Sequence, residues 1–377
     1  MVNRPAALPA RPFFSSGPCA KPPGWSASEL DTRSLGRSHR SALGKARLHA
    51  AIERTHRLLR LPADYRLGIV PASDTGAMEL ALWSLLGPRP VTMLAWESFG
   101  AGWVADVVKQ LQLDADIRSA EYGQIADLGG IDPASDMVFT WNGTTSGVRV
   151  PNGDWIAADR GGLTICDATS AAFAQDIDWT KVDVGTFSWQ KALGGEGGHG
   201  MLVLSPRAVE RLEQERAPRP LPKIFRLTKS GELIDGIFKG ETINTPSMLA
   251  VEDWLFALDW ADSVGGLPAL IARADANAAA LDRWVQSASW IEHLAADPAV
   301  RSNTSVCLQF ADRSDSQANA ARQKAIVNLL EAEGAAFDVG AYRDAPAGLR
   351  IWCGATVDSV DIETLGPWLD WAWEQTK

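Results

Sequence analysis

The sequence predicts an α/β protein, with a large domain built on a mostly parallel sheet covered by helices and a smaller C-terminal α+β domain. Short apolar runs alternate with segments of helical periodicity between residues 42 and 216, which is typical of parallel strands joined by helical crossovers. Several of these runs end in polar side chains, and α/β proteins bind their ligands at the carboxyl ends of parallel strands. A length of 377 residues is enough for two domains.

We expect an extended N-terminal segment at residues 1–16, a large domain at 17–260 and a small domain at 261–377. The first segment is rich in proline and lacks helical or strand periodicity. Helical periodicity runs from Ser247 to Ala288 and is broken near Gly265 and Gly266. The boundary is therefore placed close to residue 260.

Composition and charge exclude several classes of protein. The net charge of −10 argues against general nucleic-acid binding, and no apolar run approaches the ~18 residues of a membrane span. Prolines interrupt the N-terminus where a signal peptide needs a continuous apolar core. The N-terminus therefore predicts a cytoplasmic protein. The four cysteines show no paired metal-ligand spacing, which predicts reduced thiols and no metal site: Cys19, Cys166, Cys307 and Cys353.

The elements of the large domain follow from apolar periodicity and from breaks at proline, glycine and polar clusters. A helix with apolar residues at helical spacing ends before Pro62, and the later strands are short apolar runs. In order, we predict a helix at Ala42–Leu61, a strand at Leu67–Val70, a helix at Ala77–Leu86, a strand at Pro90–Ala95, a helix at Val104–Leu113, strands at Met137–Trp141, Leu163–Cys166, Val182–Ser188 and Gly200–Leu204, and a helix at Arg207–Arg216.

The C-terminal part begins with an irregular, glycine-containing excursion at residues 226–245 that is able to reach a neighbouring chain. The broken helical stretch follows, and strands and helices then alternate in an α+β pattern. We predict a strand at Ser305–Phe310, a helix at Gln317–Glu333, strands at Ala336–Val339 and Leu349–Cys353, and a closing helix at Asp361–Glu374.

Lys191 is the residue around which the chemistry is predicted. It ends an apolar strand and precedes a glycine-rich loop at residues 194–200. Burial of an ammonium group is costly and lowers its pKa toward the neutral amine, which can form a Schiff base with an aldehyde. Taken alone, a surface lysine before a loop is the simpler interpretation. Polar residues at the other strand ends favour the chemical role.

Four other strand ends supply groups that suit a flat, anionic ligand. Residues 73–75 lie in the turn that leads into a helix, and they either hold a phosphate at the free N–H groups of the helix start or form an ordinary cap. Trp103 could stack on an aromatic ring. The polar stretch Asn142–Gly147 is either a hydroxyl donor to a ligand or only a turn. Asp167 follows a buried strand and needs a cationic partner, which a protonated pyridine nitrogen would be.

A set of motifs in this order covers the chain from roughly Phe13 to Cys353. They are Phe14-Ser15-Ser16-Gly17-Pro18, Ser38-His39-Arg40, Trp103, Asp167, Ser188-Trp189-Gln190-Lys191, Asn244-Thr245-Pro246 and Gly348-Leu349-Arg350. With these motifs the chain resembles the phosphoserine aminotransferases, which belong to the class V branch of the fold type I pyridoxal-phosphate enzymes. The set is specific as an ordered whole, although no single motif is.

The resemblance implies a pyridoxal phosphate cofactor and a homodimer with shared active sites. Lys191 would bind the cofactor covalently and move a proton between the substrate Cα and the cofactor C4′, while Asp167 would pair with the pyridine nitrogen. Trp103 would stack on the ring, and Thr144 would bind its phenolic oxygen. The implied ligands of the cofactor phosphate are Asp74, Thr75 and Gln190 of one chain and Asn244 and Thr245 of the partner.

The resemblance also implies the substrates, which are small molecules. Arg350 would clamp the substrate carboxylate, and His39, Arg40 and Arg343 would hold a substrate phosphate. The implied reaction transfers an amino group between O-phospho-L-serine or 3-phosphohydroxypyruvate and glutamate or 2-oxoglutarate, as in serine biosynthesis.

The chain departs from the family pattern in ways that indicate a divergent branch. The turn Ala72–Thr75 replaces a glycine/arginine-rich turn, and Tyr342 stands where better-known members carry a histidine. In the altered loop after the lysine, His199 is either a further phosphate ligand or a structural residue.

Two alternative functions on the same fold remain open. A serine–glyoxylate or alanine–glyoxylate transaminase would lack the basic cluster at His39 and Arg40. A lyase or cysteine desulfurase would need a thiol on a mobile loop, whereas Cys307 and Cys353 lie in predicted strands.

Overall fold

The computed structural model describes residues 3–376, which form a seven-stranded sheet, a three-stranded sheet and two small two-stranded sheets, with helices packed around them. In chain order the strands are β1 (Arg66–Pro71), β2 (Val91–Ala95), β3 (Ala115–Ser119), β4 (Asp136–Thr140), β5 (Asn142–Gly143), β6 (Val148–Arg149), β7 (Thr164–Asp167), β8 (Val184–Ser188), β9 (His199–Leu204), β10 (Thr228–Lys229), β11 (Glu232–Leu233), β12 (Ile291–His293), β13 (Ser305–Phe310) and β14 (Gly348–Trp352). The α-helices are α1 (Ala42–Leu58), α2 (Ser73–Leu85), α3 (Ser98–Ala105), α4 (Pro206–Gln214), α5 (Met248–Ser263), α6 (Gly266–Ser287), α7 (Ser316–Ala332) and α8 (Ser359–Gln375).

The large sheet has the strand order β1-β9-β8-β7-β4-β2-β3. Strands β8, β7, β4, β2 and β3 pair in parallel, while β9 is antiparallel to both β8 and β1. The carboxyl ends of β1, β2, β4, β7 and β8 therefore lie at one edge, together with the start of β9. The predicted α/β class with a mostly parallel sheet is confirmed.

The central strands are buried on both faces, as expected for a parallel sheet covered by helices. An apolar cluster lies on each face of the sheet, and neighbouring residues of one strand belong to different clusters. Val138 belongs to one with Met78 and Ile165, whereas Phe139 belongs to the other with Trp96. Strand β3 was not predicted. It lies at the edge of the sheet and is largely exposed, so it lacks the apolar run that revealed the other strands.

Two predicted helix starts were wrong, because both helices begin earlier in the chain than their apolar periodicity indicates. Helix α3 begins at Ser98 rather than at Val104, since Glu97 Oε1 accepts a hydrogen bond of 2.6 Å from the backbone N–H of Gly100. Helix α2 begins at Ser73 rather than at Ala77, directly after β1. Its first turn is thereby brought to the edge of the sheet where the strand ends lie.

The second sheet consists of β12, β13 and β14 in antiparallel pairing, with α6, α7 and α8 packed nearby. The N-terminal segment runs beside it, and the backbone N–H of Trp352 donates to Phe14 O at 3.0 Å. The predicted strand Ala336–Val339 was wrong. The chain there makes only isolated bridges, because Asp338 adopts a left-handed φ of 59° that interrupts an extended run.

The helical stretch that begins at Ser247 is bent by 85° between α5 and α6, close to the predicted break at Gly265. The predicted domain boundary at residue 260 falls within α5, and the division into domains stays a prediction. Among residues 3–376 no single helix is long and apolar enough to cross a membrane, and only the bent pair α5 and α6 would meet that requirement together.

Candidate active site

A cavity of about 350 Å³ lies at the edge of the large sheet where the strand ends meet. It collects residues from β4, β7 and β8, from the starts of α2 and α3, and from the N-terminal segment. The lining residues are Gly17, Pro18, Ser73, Asp74, Thr75, Phe99, Trp103, Thr140, Asn142, Thr144, Asp167, Thr169, Ser170, Ser188, Gln190, Lys191, Gly197 and Gly198. Most of the predicted cofactor-binding residues are thus brought together.

Lys191 lies just past β8 and is half-buried in this cavity. Its Nζ donates a hydrogen bond of 2.5 Å to the backbone oxygen of Ser16. Gly17 packs directly against the amine, and its φ of 147° is one that other residues rarely adopt, so a side chain at this position would be strained and would displace the amine. Burial lowers the pKa of the Lys191 ammonium, which favours the neutral, nucleophilic amine.

Asp167 is buried at the end of β7, and its carboxylate is held by two hydrogen bonds. Its Oδ2 accepts from Trp103 Nε1 at 3.2 Å, and its Oδ1 accepts from the backbone N–H of Thr169 at 3.0 Å. Within residues 3–376 no lysine, arginine or histidine forms an ion pair with it. A buried carboxylate without a cation is costly, so the site calls for a cationic group from a ligand.

Other buried polar atoms of the cavity wall also lack a partner among the described residues. They are Asp74 Oδ1, Thr140 Oγ1, Asn142 Nδ2, Thr169 Oγ1, Ser188 Oγ and Gln190 Oε1. Buried polar groups are nearly always hydrogen-bonded, so this arrangement indicates a polar ligand. The free N–H groups at the start of α2 add an anion-binding end to the same cavity. A lysine, a carboxylate without a cation, an indole ring and a helix N-terminus together fit pyridoxal phosphate.

Asp74 is only 7% exposed, and its side chain points toward Asp167, with the hydroxyl groups of Thr169 and Thr186 nearby. Burial and then the Asp167 carboxylate raise the pKa of Asp74 well above its ordinary value. The predicted contact of Asp74 with a cofactor phosphate stays a prediction. An ionised side chain would repel that phosphate, so such a contact suits the backbone N–H at this helix start.

Thr144 is buried, and its Oγ1 lies 2.6 Å from Ser170 Oγ. The two hydroxyl groups form a small donor and acceptor pair on the cavity wall. Sequence reasoning gave no role to Ser170, to Thr169 or to Ser16. The signal for the first two was their position directly after Asp167 at a strand end.

Arg350, on β14, presents a cation without a carboxylate partner. Its Nε is buried and makes no hydrogen bond within the described chain, and its guanidinium lies 5.6 Å from the centre of the Tyr342 ring. Its charge acts, after burial, to lower the pKa of Lys191, so the two groups are close. The Tyr342 ring in turn lies 5.7 Å from Phe99 at the cavity wall. Arg350 is therefore available to an anion that enters beside the lysine.

Arg343 lies on the same side of the site but is far more exposed. Its guanidinium lies 5.5 Å from the Tyr342 ring, and its Nε lies 3.4 Å from Asp344 Oδ2. The aromatic ring thus has both arginines within contact range. Such cation–π contacts restrict where a guanidinium group lies.

His39, Arg40, Asn244 and Thr245 do not line the Lys191 cavity of the same chain. Asn244 and Thr245 are exposed and directly follow the walls of a second, larger cavity of about 650 Å³. That cavity is lined by His39, Arg40, Lys45, Lys223, Arg226, Thr228, Lys229, Ile234, Ile237, Gly240, Glu241, Thr242 and Ile243. The cations expected to bind a substrate phosphate are thus divided between two places on one chain.

His199 is held in place by a backbone hydrogen bond and by a contact with an aromatic ring. Its Nε2 accepts a hydrogen bond of 3.2 Å from the backbone N–H of Ser247, and its ring stacks on Trp189 with a centroid distance of 4.6 Å. Burial lowers the pKa of His199 to about 4, so the imidazole is neutral at neutral pH. It joins the loop after the lysine to the start of α5.

The fold and the cavity together define a pyridoxal-phosphate-dependent aminotransferase of fold type I. No protein-family model matches the chain. The chain is 57% identical to the phosphoserine aminotransferase of Methanosarcina barkeri over 375 residues, which cover 99% of this chain and 100% of that protein. It is 56% identical to the enzyme of the same name from Methanosarcina mazei, with the same coverage. The chain belongs to the phosphoserine aminotransferase family.

Solved structures agree on the fold. The phosphoserine aminotransferase of Cytophaga hutchinsonii superposes with a TM-score of 0.82 at 21% identity, covering 96% of this chain and 99% of that one. An alanine–glyoxylate aminotransferase from Nostoc sp. gives a TM-score of 0.80 at 19% identity, covering 99% and 97%. The predicted family, fold class and transaminase class are confirmed. At these identities the structural likeness does not distinguish the substrates of the two enzymes.

Proposed function

We propose that this chain binds pyridoxal phosphate and transfers an amino group between O-phospho-L-serine and 2-oxoglutarate, with 3-phosphohydroxypyruvate and glutamate as the matching products. The observation that carries this proposal is the unpaired Arg350 beside Lys191, in a chain whose relatives are named for that reaction. A free guanidinium next to the reactive amine is suited to the carboxylate that every amino-acid substrate carries.

The residues of the cavity divide the work of the reaction. When bound, the cofactor supplies an electron sink for the bonding electrons released at the substrate Cα. Lys191 would hold the cofactor through its amine, and the same amine would move the proton at the substrate Cα. Asp167 keeps the pyridine nitrogen protonated, and Trp103 both orients Asp167 and contacts the ring. Thr75, Gln190 and the α2 N-terminus hold the cofactor phosphate.

A substrate with two anionic groups needs two separate cationic sites. Arg350 takes the carboxylate, and Arg343 with His39 and Arg40 takes the phosphate. Glutamate presents its side-chain carboxylate to part of the same basic cluster. This arrangement favours a phosphorylated amino acid over alanine or serine, because only the former satisfies both sites.

We further propose that the chain works as a two-fold homodimer in which each active site is completed by the partner. Asn244 and Thr245 are exposed, and His39 and Arg40 line a cavity next to them rather than the Lys191 cavity. In a two-fold dimer one surface patch serves both sites, so these four residues of one chain can reach the Lys191 cavity of its partner. We place the enzyme in the cytoplasm, which agrees with its free, buried cysteines.

The substrate proposal predicts that the loss of Arg40 or Arg343 lowers activity more with phosphoserine than with amino donors that carry no phosphate. Removing one partner of a desolvated ion pair costs about 2–5 kcal/mol, so Arg40→Ala lowers kcat/KM for phosphoserine by roughly 30-fold or more. Glutamate loses less, and alanine or serine is almost unaffected. Arg343→Ala follows the same order. Steady-state kinetics with each amino donor measure these ratios.

Arg350→Ala serves as the matched comparison, because it removes the carboxylate site. All amino donors then lose kcat/KM by a similar factor of roughly 30-fold or more. Equal losses for phosphoserine and alanine in Arg40→Ala and Arg343→Ala would make the basic cluster structural. The glyoxylate type of transaminase would then be the better assignment.

The dimer proposal predicts that two inactive variants restore activity when their subunits are mixed. One carries Lys191→Ala, and the other carries Asn244→Ala with Thr245→Ala. A heterodimer contains one intact site, built from Lys191 of one chain and Asn244 and Thr245 of its partner. Random exchange makes about half of the dimers mixed, so about a quarter of wild-type activity is expected.

Unmixed samples of each variant, subjected to the same exchange procedure, are the control. Sedimentation checks that every sample remains dimeric. Failure of the mixture to exceed the controls, or a fully active monomer, contradicts a shared site.

The cysteine desulfurase alternative receives no support from the thiols. Cys307 lies within β13, and both Cys307 and Cys19 are buried. Burial raises the pKa of Cys19 and of Cys307 to about 12, so neither is a thiolate at neutral pH. Burial also raises the pKa of Cys353 and Cys166 above the ordinary range.

A further inference from the structure

Two carboxyl groups lie close together in the wall of the Lys191 cavity, and only that of Asp167 has a role in the proposed reaction. Asp74 begins α2, and Asp167 ends β7. Their side chains are 7% and 5% exposed, both line the Lys191 cavity, and the two carboxyl groups are close enough to share a hydrogen bond. Two ionised carboxylates are acceptors only and repel each other, so a contact of this kind needs a proton between them.

The hydrogen bonds around the pair indicate which group carries the proton. Asp167 already accepts from Trp103 Nε1 and from the Thr169 N–H, and both bonds stabilise its ionised form. Asp74 Oδ1 is buried and accepts no hydrogen bond from any donor within residues 3–376. An unsolvated oxygen without donors favours the neutral acid at that position.

We propose that Asp74 is a protonated carboxylic acid that donates a hydrogen bond to Asp167, so that the pair carries one negative charge. Asp74 is then a positioning residue, which acts on the reaction through Asp167. Its donated hydrogen bond stabilises the Asp167 carboxylate, the form that pairs with a pyridinium nitrogen. A neutral Asp74 also places no negative charge at the start of α2, where the cofactor phosphate would bind. The proposal rests on the proposed cofactor site and deepens it.

The groups that face Asp74 from the neighbouring elements agree with this assignment. Asp167 on β7 disfavours a charge on Asp74, and burial does so more strongly; together they raise its pKa. The Cys166 thiol on β7 is neutral, since burial raises its pKa. Lys191, past β8, is a cation only when protonated, and burial lowers its pKa. The hydroxyl groups of Thr169 and Thr186 favour the ionised form but are the weaker influence.

Infrared spectroscopy of the holoenzyme at neutral pH tests the proton directly. The wild type should show the carbonyl band of a protonated carboxyl group that disappears in Asp74→Asn, an isosteric change that keeps an N–H donor toward Asp167. Labelling aspartate carboxyl groups with ¹³C separates this band from that of Glu97, whose pKa is raised by burial to about 7. A second neutral variant, Asp74→Ser, retains a donor if the first fails to fold.

Melting temperature against pH gives an independent readout. The pKa of Asp74 is higher in the folded than in the unfolded chain, where it is about 3.9. Unfolding therefore releases a proton between the two values, and the wild type loses stability as pH rises through that window. Asp74→Asn lacks this loss, so its melting temperature rises relative to wild type with increasing pH.

Asp114→Asn is the matched control, since Asp114 is exposed, and its difference from wild type should not change in this way. An unchanged band in both Asp74 variants, or a melting difference that is constant with pH, overturns the proposal. Neither readout depends on the amino donor, so a wrong substrate assignment would leave both results intact.

Discussion

Lys191→Ala should abolish covalent attachment of the cofactor and lower kcat by roughly 10³-fold or more. Its amine is the only nucleophile we assign to the cofactor aldehyde, and it is also the group that moves the Cα proton, a role that alone contributes about 10²–10⁴-fold. Borohydride reduction of the wild-type holoenzyme, followed by peptide mapping, should place the pyridoxyl group on Lys191.

The physical reason lies in the surroundings of the amine. Burial lowers its pKa, and its Nζ is aimed at the cavity edge by the hydrogen bond to Ser16 O. Lys109→Ala, at an exposed lysine, is the control and should keep both the label and the activity. A label on Lys181 or Lys223, or full activity in Lys191→Ala, would be incompatible with this assignment.

Asp167→Asn should retain the fold but lose most transaminase activity, by roughly 100-fold or more. Truncating one partner of a buried ion pair costs about 3–5 kcal/mol, and the amide cannot hold the pyridine nitrogen in its protonated form. Its hydrogen bonds with Trp103 and Thr169 can be kept in part, because the amide oxygen still accepts. Steady-state kinetics and circular dichroism together separate lost chemistry from lost structure.

Asp167→Glu tests whether charge alone is enough at this position, since it keeps the carboxylate and lengthens the side chain. Partial recovery of activity over Asp167→Asn is expected. Near-normal activity in Asp167→Asn would instead remove Asp167 from the role of partner to the cofactor nitrogen.

Local patterns were sufficient to predict most elements of the large sheet. Strands β4, β7, β8 and β9 are buried on both faces, so each appears as a short apolar run. The exposed edge strand β3 has no such run, and the apolar run Ala336–Val339 is interrupted by a left-handed residue. An apolar pattern indicates burial and does not by itself indicate a strand. Strand β3 is a strand that is largely exposed, and residues 336–339 form an apolar run that is not a strand.

The cavity was also predicted from the sequence, because polar residues follow several strands of the large sheet in turn. In a parallel sheet all carboxyl ends face one edge, so Thr140, Asp167 and the residues after Ser188 had to come close together. Residue type at each end then suggested the ligand. The shared edge follows from parallel pairing alone, whereas the short distances between these residues also depend on β4, β7 and β8 being neighbours in the sheet.

Other features depended on contacts between distant parts of the chain. The sequence by itself determined that a lysine follows β8, that a carboxylate ends β7 and that a helix follows β1, since each depends on a residue type or an apolar pattern at a local position. Only the tertiary structure decided that Ser16 holds the lysine, that His39 and Arg40 line another cavity, and that Asp74 meets Asp167. Strand β9 lies antiparallel between β1 and β8, and that pairing brings the start of α2 to the Asp167 side of the cavity. Pairings of this kind are set by packing of the whole core, so no local pattern in the chain contains them.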